Sequence, residues 1–176
     1  GIANGQDADE LYKKAKAEMS NSNYSDAVKF LTQAIDIKKD ASYYFERGTS
    51  YYFLKEYENS GKDFTSAIEI KPDYAEAYNR RGKIKIELTE YESAMKDFDK
   101  AIELKKDYPD PHYNRGLLNY MEKKYDAAIV DYTAAVTIRP NFSEAYYNRG
   151  LAYFDSEKYS EAVEDYSKSI ELKPEF

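Results

Sequence analysis

The sequence predicts an all-α fold made by repeating a pair of helices, and three observations predict it. Tyr57, Tyr91, Tyr125 and Tyr159 stand 34 residues apart at every step. A period of roughly 20–50 residues marks a chain of stacked supersecondary units. Within each period small and apolar residues recur twice at i, i+3, i+4 and i+7, the mark of two amphipathic helices. Glycines keep the same step, at Gly48, Gly82, Gly116 and Gly150, although a glycine inside a helix costs about 1 kcal/mol relative to alanine. Four in register need a packing reason. Two helices approach closely only where one lacks bulk, and an aromatic ring opposite fills the space beside it.

The period divides the chain into units at 8–40, 41–74, 75–108, 109–142 and 143–176, with residues 1–7 left as an N-terminal extension. The first unit is one residue short. It has Ala15 in the glycine column, then Tyr24, Ala27, Leu31, Ala34 and Ile37 on a second helix. The second unit places Tyr44, Arg47, Gly48 and Tyr51 on one stripe, then Ser60, Phe64, Ala67 and Ile70, and Pro72 ends it. The third carries Gly82, then Tyr91, Ala94, Phe98, Ala101 and Leu104, with Lys106 where a proline would stand. In the fourth, Pro109 and Pro111 open the unit, His112 takes the large aromatic column, and Ala128, Tyr132, Ala135 and Ile138 lead to Pro140. The fifth runs Tyr146, Arg149, Gly150 and Tyr153, a polar turn at Ser156, Glu157 and Lys158, then Ala162, Tyr166 and Ser169, with Pro174 as terminator. Proline ends helices because it has no N–H to donate and its ring clashes with the preceding turn.

Composition removes several function classes. The 176 residues hold 33 Asp+Glu against 26 Lys+Arg, a net charge of −7, so no basic surface recommends nucleic acid as partner. Cysteine is absent and histidine occurs once, which excludes thiolate chemistry and leaves no multi-histidine metal site. No stretch approaches the roughly 18 consecutive apolar residues of a membrane span. No secretory leader is read among the given residues. The default expectation is therefore cytoplasmic, with export if a leader has been removed. No phosphate-binding glycine loop, nucleophile elbow or metalloprotease string occurs. Enzymatic activity and cofactors are not expected.

The columns resemble the tetratricopeptide repeat family. The second unit reads Tyr44-x2-Arg47-Gly48-x2-Tyr51, Ser60-x3-Phe64 and Pro72, and the fifth Tyr146-x2-Arg149-Gly150-x2-Tyr153, Ala162-x3-Tyr166 and Pro174. Tyrosine or His112 replaces the family's tryptophan, and arginine replaces the leucine before glycine. The resemblance covers 169 of the 176 residues, 8–176. It implies one domain, a right-handed superhelical solenoid whose first helices line a concave groove that binds a peptide or protein segment.

Carried over, the groove should be lined by Tyr12 and Lys16; Phe45, Glu46, Thr49, Tyr52 and Phe53; Asn79, Arg80 and Lys83; Tyr113, Asn114, Leu117 and Tyr120; and Tyr147, Asn148, Leu151 and Phe154. An ordinary outward face would be mostly Glu and Lys. Tyrosine offers contact area with few rotors, and asparagine can pair with a peptide backbone through donor and acceptor alike. Arg80 and Lys83 favour acidic residues, so the expected partner is an extended segment of mixed apolar and acidic character. The family's two-carboxylate clamp for chaperone tails is not expected. Threaded on the first three units it falls on Tyr12, Lys16, Glu46, Glu76 and Arg80, and on the last three on Asn79, Lys83, Asn114, Glu144 and Asn148. Both threadings put glutamate where lysine is needed.

Arg47, Arg81, Arg115 and Arg149 each precede an aspartate by 16 residues, Asp63, Asp97, Asp131 and Asp165. This ladder is read as structural ion pairs, since a half-buried arginine needs a carboxylate. The alternative function is end-to-end assembly into homo-oligomers. With no polar capping helix before Phe176, Val163 and Ile170 are expected to stay uncovered.

Overall fold

A computed structural model describes residues 7–173, which form ten α-helices. They are α1 (Ala8–Ser20), α2 (Tyr24–Ile37), α3 (Ala41–Phe53), α4 (Tyr57–Ile70), α5 (Ala75–Glu87), α6 (Tyr91–Leu104), α7 (Pro109–Met121), α8 (Tyr125–Ile138), α9 (Ser143–Asp155) and α10 (Tyr159–Leu172). Most of the 1–7 extension, and the Pro174 and Phe176 read at the far end, lie outside the described residues. The chain forms two compact units, residues 1–94 and 95–176, with the boundary inside α6.

The helix starts and stops have local causes. Asp7 and Asp40 cap α1 and α3 by accepting hydrogen bonds from the Asp9 and Ser42 amides, and such a cap contributes about 1 kcal/mol. Pro109 takes the first position of α7, where its missing N–H loses nothing. Helices α4 and α8 stop at Ile70 and Ile138, two residues before Pro72 and Pro140. Between the two helices of each hairpin one residue is left-handed: Ser22, Lys55, Thr89, Lys123 and Glu157, with φ of 59° to 62°. None is glycine, the residue that takes this conformation without a Cβ clash. The polar turn read at 156–158 therefore carries local strain.

In the first unit each helix packs against the next from α1 to α5, and the first helices also meet, α1 on α3 and α3 on α5. Leu11, Ala15, Ala27, Leu31, Ala34, Ile35 and Tyr43 form one buried cluster. Ala67, Ile68 and Ala77 form another, flanked by Tyr44, Phe45, Tyr74 and Tyr78. In the second unit α7, α8, α9 and α10 pack in sequence and α7 also meets α9. Its core joins Ala128, Tyr132 and Ala152, and Ala135, Val136, Phe142 and Ala145. The glycine column has the expected cause. A Cβ on Gly116 would lie 2.8 Å from the Tyr132 ring, and one on Gly150 2.8 Å from the Tyr166 ring.

Arg47, Arg115 and Arg149 hold their hairpins closed, and each also reaches back to the hairpin before. Arg47 donates to Asp63 from Nε at 2.7 Å and Nη2 at 2.8 Å, and from Nη1 to the Thr32 hydroxyl at 3.1 Å. Arg149 repeats this with Asp165 and Thr133. Arg115 grips Asp131 and reaches Asp99, which stands where the threonine stands elsewhere. Burial pushes the Asp63 carboxyl above its ordinary range while Arg47 pulls it back. Arg81 donates to Thr65; it lies in the first unit and Asp97 in the second.

Candidate functional site

The expected groove residues fall into two sets, ten in the first unit and eight in the second. In the first unit most are engaged with their own neighbours. Tyr12 rests on Tyr43 with ring centroids 5.1 Å apart, and burial, with Glu46 nearby, pushes its phenol up. Lys16 pairs with Glu46 at 2.6 Å. Phe45 stacks on Tyr74 at 4.9 Å and meets the edge of Phe64. Thr49 is buried, its hydroxyl donating to the Phe45 carbonyl. Tyr52 lies under the Lys83 ammonium, 5.2 Å from its ring centre, and contacts Phe53 and Tyr57. Arg80 is half-buried.

The asparagines differ from expectation. Asn79 is 3% exposed and Asn114 6%, so both lie in the packed layer between helices and not on an open wall. Asn148 is half-buried, and its Nδ2 donates to the Tyr113 hydroxyl at 2.9 Å and to the Glu144 carbonyl at 3.0 Å. The physical reason is the spacing of the first helices. Side chains just beside the glycine stripe of one helix face the neighbouring first helix, where a polar amide is satisfied by protein before any ligand arrives.

The second unit keeps an open apolar strip. Tyr147 is 45% exposed and Phe154 52% on α9, with half-buried Leu151 between them. On α7, half-buried Leu117 and Tyr120 lead to Met121, which is 54% exposed. Tyr113 backs this strip, 4.8 Å from Phe142 between ring centres, and burial pushes its phenol up. Met121 was not among the expected residues. Its signal was available, since Phe53, Glu87, Met121 and Asp155 form a 34-residue column of their own.

Carboxylates beside the strip are already occupied. Asp110 pairs with Arg139 at 2.8 Å, and Glu144 with Lys173, which holds the Glu144 carboxyl below its usual range. The two pairs sit 34 residues apart on matching positions. Asp155 accepts a hydrogen bond from the Tyr120 hydroxyl, and that bond, with burial, pushes the phenol up to about 12. The surface offered is therefore apolar and aromatic, with its charges neutralised at the edges.

Known proteins agree with this architecture. Residues 41–74 and 143–176 match the tetratricopeptide repeat family, and 82–123 and 120–156 match a further TPR repeat family. The chain is a tetratricopeptide repeat protein. Over 76 residues this TPR protein is 36% identical to the heat shock protein sti1 homolog of Schizosaccharomyces pombe, covering 43% of this chain and 13% of that one. Over 79 residues it is 37% identical to small glutamine-rich tetratricopeptide repeat-containing protein 2 of Saccharomyces cerevisiae, covering 44% and 23%. It thus spans less than a quarter of these relatives. Among solved structures, MamA from Desulfovibrio magneticus RS-1 superposes with a TM-score of 0.84 at 17% identity, over 97% of both chains. YrrB superposes with a TM-score of 0.74 at 22% identity, over 96% of this chain and 88% of that one. These likenesses establish the TPR fold. No helix among the described residues is long and apolar enough to cross a membrane.

Proposed function

We propose that this TPR protein is a non-catalytic interaction module whose second unit binds an extended apolar segment of another protein across α7 and α9. The observation that carries this reading is the open strip of Leu117, Met121, Tyr147, Leu151 and Phe154. Exposed aromatics clustered on one face mark an interaction surface more often than isolated ones do. An extended segment presents alternate side chains to one face, about 6–7 Å apart, which suits two parallel rows of pockets. In the first unit Arg80 and Lys83 suit acidic residues in whatever that unit holds. Supporting the reading, YrrB is described as a TPR protein with an unusual peptide-binding site. A disordered segment that orders on binding gives an affinity of about micromolar or weaker.

A second reading rests on α10. Val163 and Ile170 are 63% and 53% exposed there, an apolar surface that suits contact with another copy of the chain. Sedimentation across a concentration series separates the two readings. The peptide reading is tested by selecting displayed random peptides on the whole chain. It predicts enrichment of sequences with apolar residues at alternate positions, and it fails if selection yields no consensus.

A further inference from the structure

The column that holds Tyr44, Tyr78 and Tyr146 holds His112 in the fourth repeat, the one histidine of the chain. In those three repeats the arginine three residues on lays its guanidinium over the ring. Arg47 stands 5.6 Å from the Tyr44 centre, Arg81 5.4 Å from Tyr78 and Arg149 5.5 Å from Tyr146. A cation and a phenol ring attract each other at that range. The fourth repeat keeps the arginine, Arg115, but pairs it with a ring that can itself become a cation near neutral pH.

The surroundings suit the neutral ring. His112 lies in the first turns of α7 and donates a hydrogen bond to the backbone carbonyl of Lys106, in the link from α6. Its Nδ1 is buried and meets no hydrogen-bond partner among the described residues. A proton there becomes a buried donor without an acceptor, which is costly. The field of Arg115 opposes that proton and the field of Asp131, on α8, favours it. Arg115 grips Asp131 at 2.6 Å and Asp99, on α6, at 2.9 Å, so both carboxylates already serve the guanidinium. The Lys105 ammonium lies over the Tyr108 ring at 5.3 Å. Burial is the first cause holding the imidazole below its ordinary value. We infer that His112 is an acid-sensitive latch on the joint between α6 and α7. The neutral ring seats the start of α7 on the Lys106 carbonyl, and the imidazolium satisfies its second N–H only by turning out to water and giving up that seat. Tyr108 offers α7 no side-chain cap, so this bond is one of the ties that fix its first turn. Because α7 carries Leu117 and Met121, the latch sets how firmly that half of the apolar strip is seated; this consequence rests on the proposed function, and the latch itself does not.

With one histidine in the chain, its imidazole resonances are unambiguous in an NMR titration, and the ring should be half-protonated below its ordinary value of about 6.5. A lowered folded value means that the unfolded chain takes up the proton first. The latch therefore contributes stability that is complete above about pH 6.5 and is lost as pH falls from there toward the folded value. Denaturation midpoints at about pH 7.5 and about pH 5.5 read this loss in the parent, in His112→Tyr, which restores the residue of the matching columns, and in His112→Phe, a second variant without a titrating ring. Carboxylates titrate alike in all three, so the parent should lose more of its midpoint over this interval than either variant. Amide hydrogen exchange, corrected for its intrinsic pH dependence, should show protection of α7 falling with acid in the parent and not in the variants. Half-protonation at or above about pH 6.5, equal midpoint losses in parent and variants, or α7 protection that acid leaves unchanged in the parent would overturn the assignment.

Discussion

Arg149 and Asp165 close a two-bond ring across the fifth hairpin, Nε to Oδ2 and Nη2 to Oδ1, each 2.7 Å. The carboxylate is buried and the guanidinium nearly so. Removing one partner leaves a buried charge without compensation, which costs about 3–5 kcal/mol, whereas replacing both by apolar groups is often close to neutral. Arg149→Met should therefore lower stability by roughly that amount, and Arg149→Met with Asp165→Leu should recover most of it. Denaturant titration of the two single variants and the double gives the coupling energy. Additive effects would mean that the two side chains do not stabilise each other.

Tyr132 carries its hydroxyl into the core without a hydrogen-bond partner. Phe64 and Phe98 fill the same column in the second and third repeats and are equally buried. An unsatisfied buried hydroxyl costs about 1–3 kcal/mol, so Tyr132→Phe should raise stability by about 1 kcal/mol. A lower melting temperature would show that the hydroxyl is paired in solution.

Thr89 is a β-branched residue held at φ 60°, a conformation that crowds its Cβ against the following carbonyl by about 1–2 kcal/mol. Thr89→Gly relieves this and returns part of the gain through a freer unfolded chain. The expected net change is about 0.5–1 kcal/mol of added stability by denaturant titration. A loss would mean that the threonine side chain makes a contact worth more than the strain.

Alkali tests the buried tyrosines together. Burial is the first cause raising Tyr74, to about 12, and Tyr132 is raised in the same direction. The hydrogen bond to Asp155 is the first cause for Tyr120, also to about 12. A phenol kept neutral by the fold contributes stability that is complete below the unfolded value of about 10 and is lost as pH rises from there toward 12. The denaturation midpoint should hold level to about pH 10 and then fall, with tyrosinate absorbance appearing as the chain unfolds. A flat midpoint to pH 12 would contradict this.

The helical hairpins were legible because a 34-residue period repeats the same burial at the same positions, and Ala27, Ser60, Ala128 and Ala162 are all buried as their column requires. The ladder was legible for the same reason, down to Arg149 and Asp165. What a column cannot show is which helix a side chain beside the stripe faces. Asn114 and Asn148 read as open groove amides, yet one is buried and the other is committed to Tyr113. The left-handed turn at Thr89 or Glu157 was hidden because no glycine marks it. Tyr120 and Asp155 lie 35 residues apart, one step off the period, so their bond follows from how α7 and α9 pack and not from any repeat column.

The central claim, that the α7 and α9 strip holds an apolar segment, is tested most directly by calorimetric titration of a peptide selected on the chain. The parent is compared with Leu151→Glu, which puts a charge at the half-buried centre of the strip. The account predicts at least a tenfold loss of affinity with the melting temperature within about 3 °C of the parent, about 1 kcal/mol for a domain of this size. Equal affinity in parent and variant, at equal stability, would contradict it.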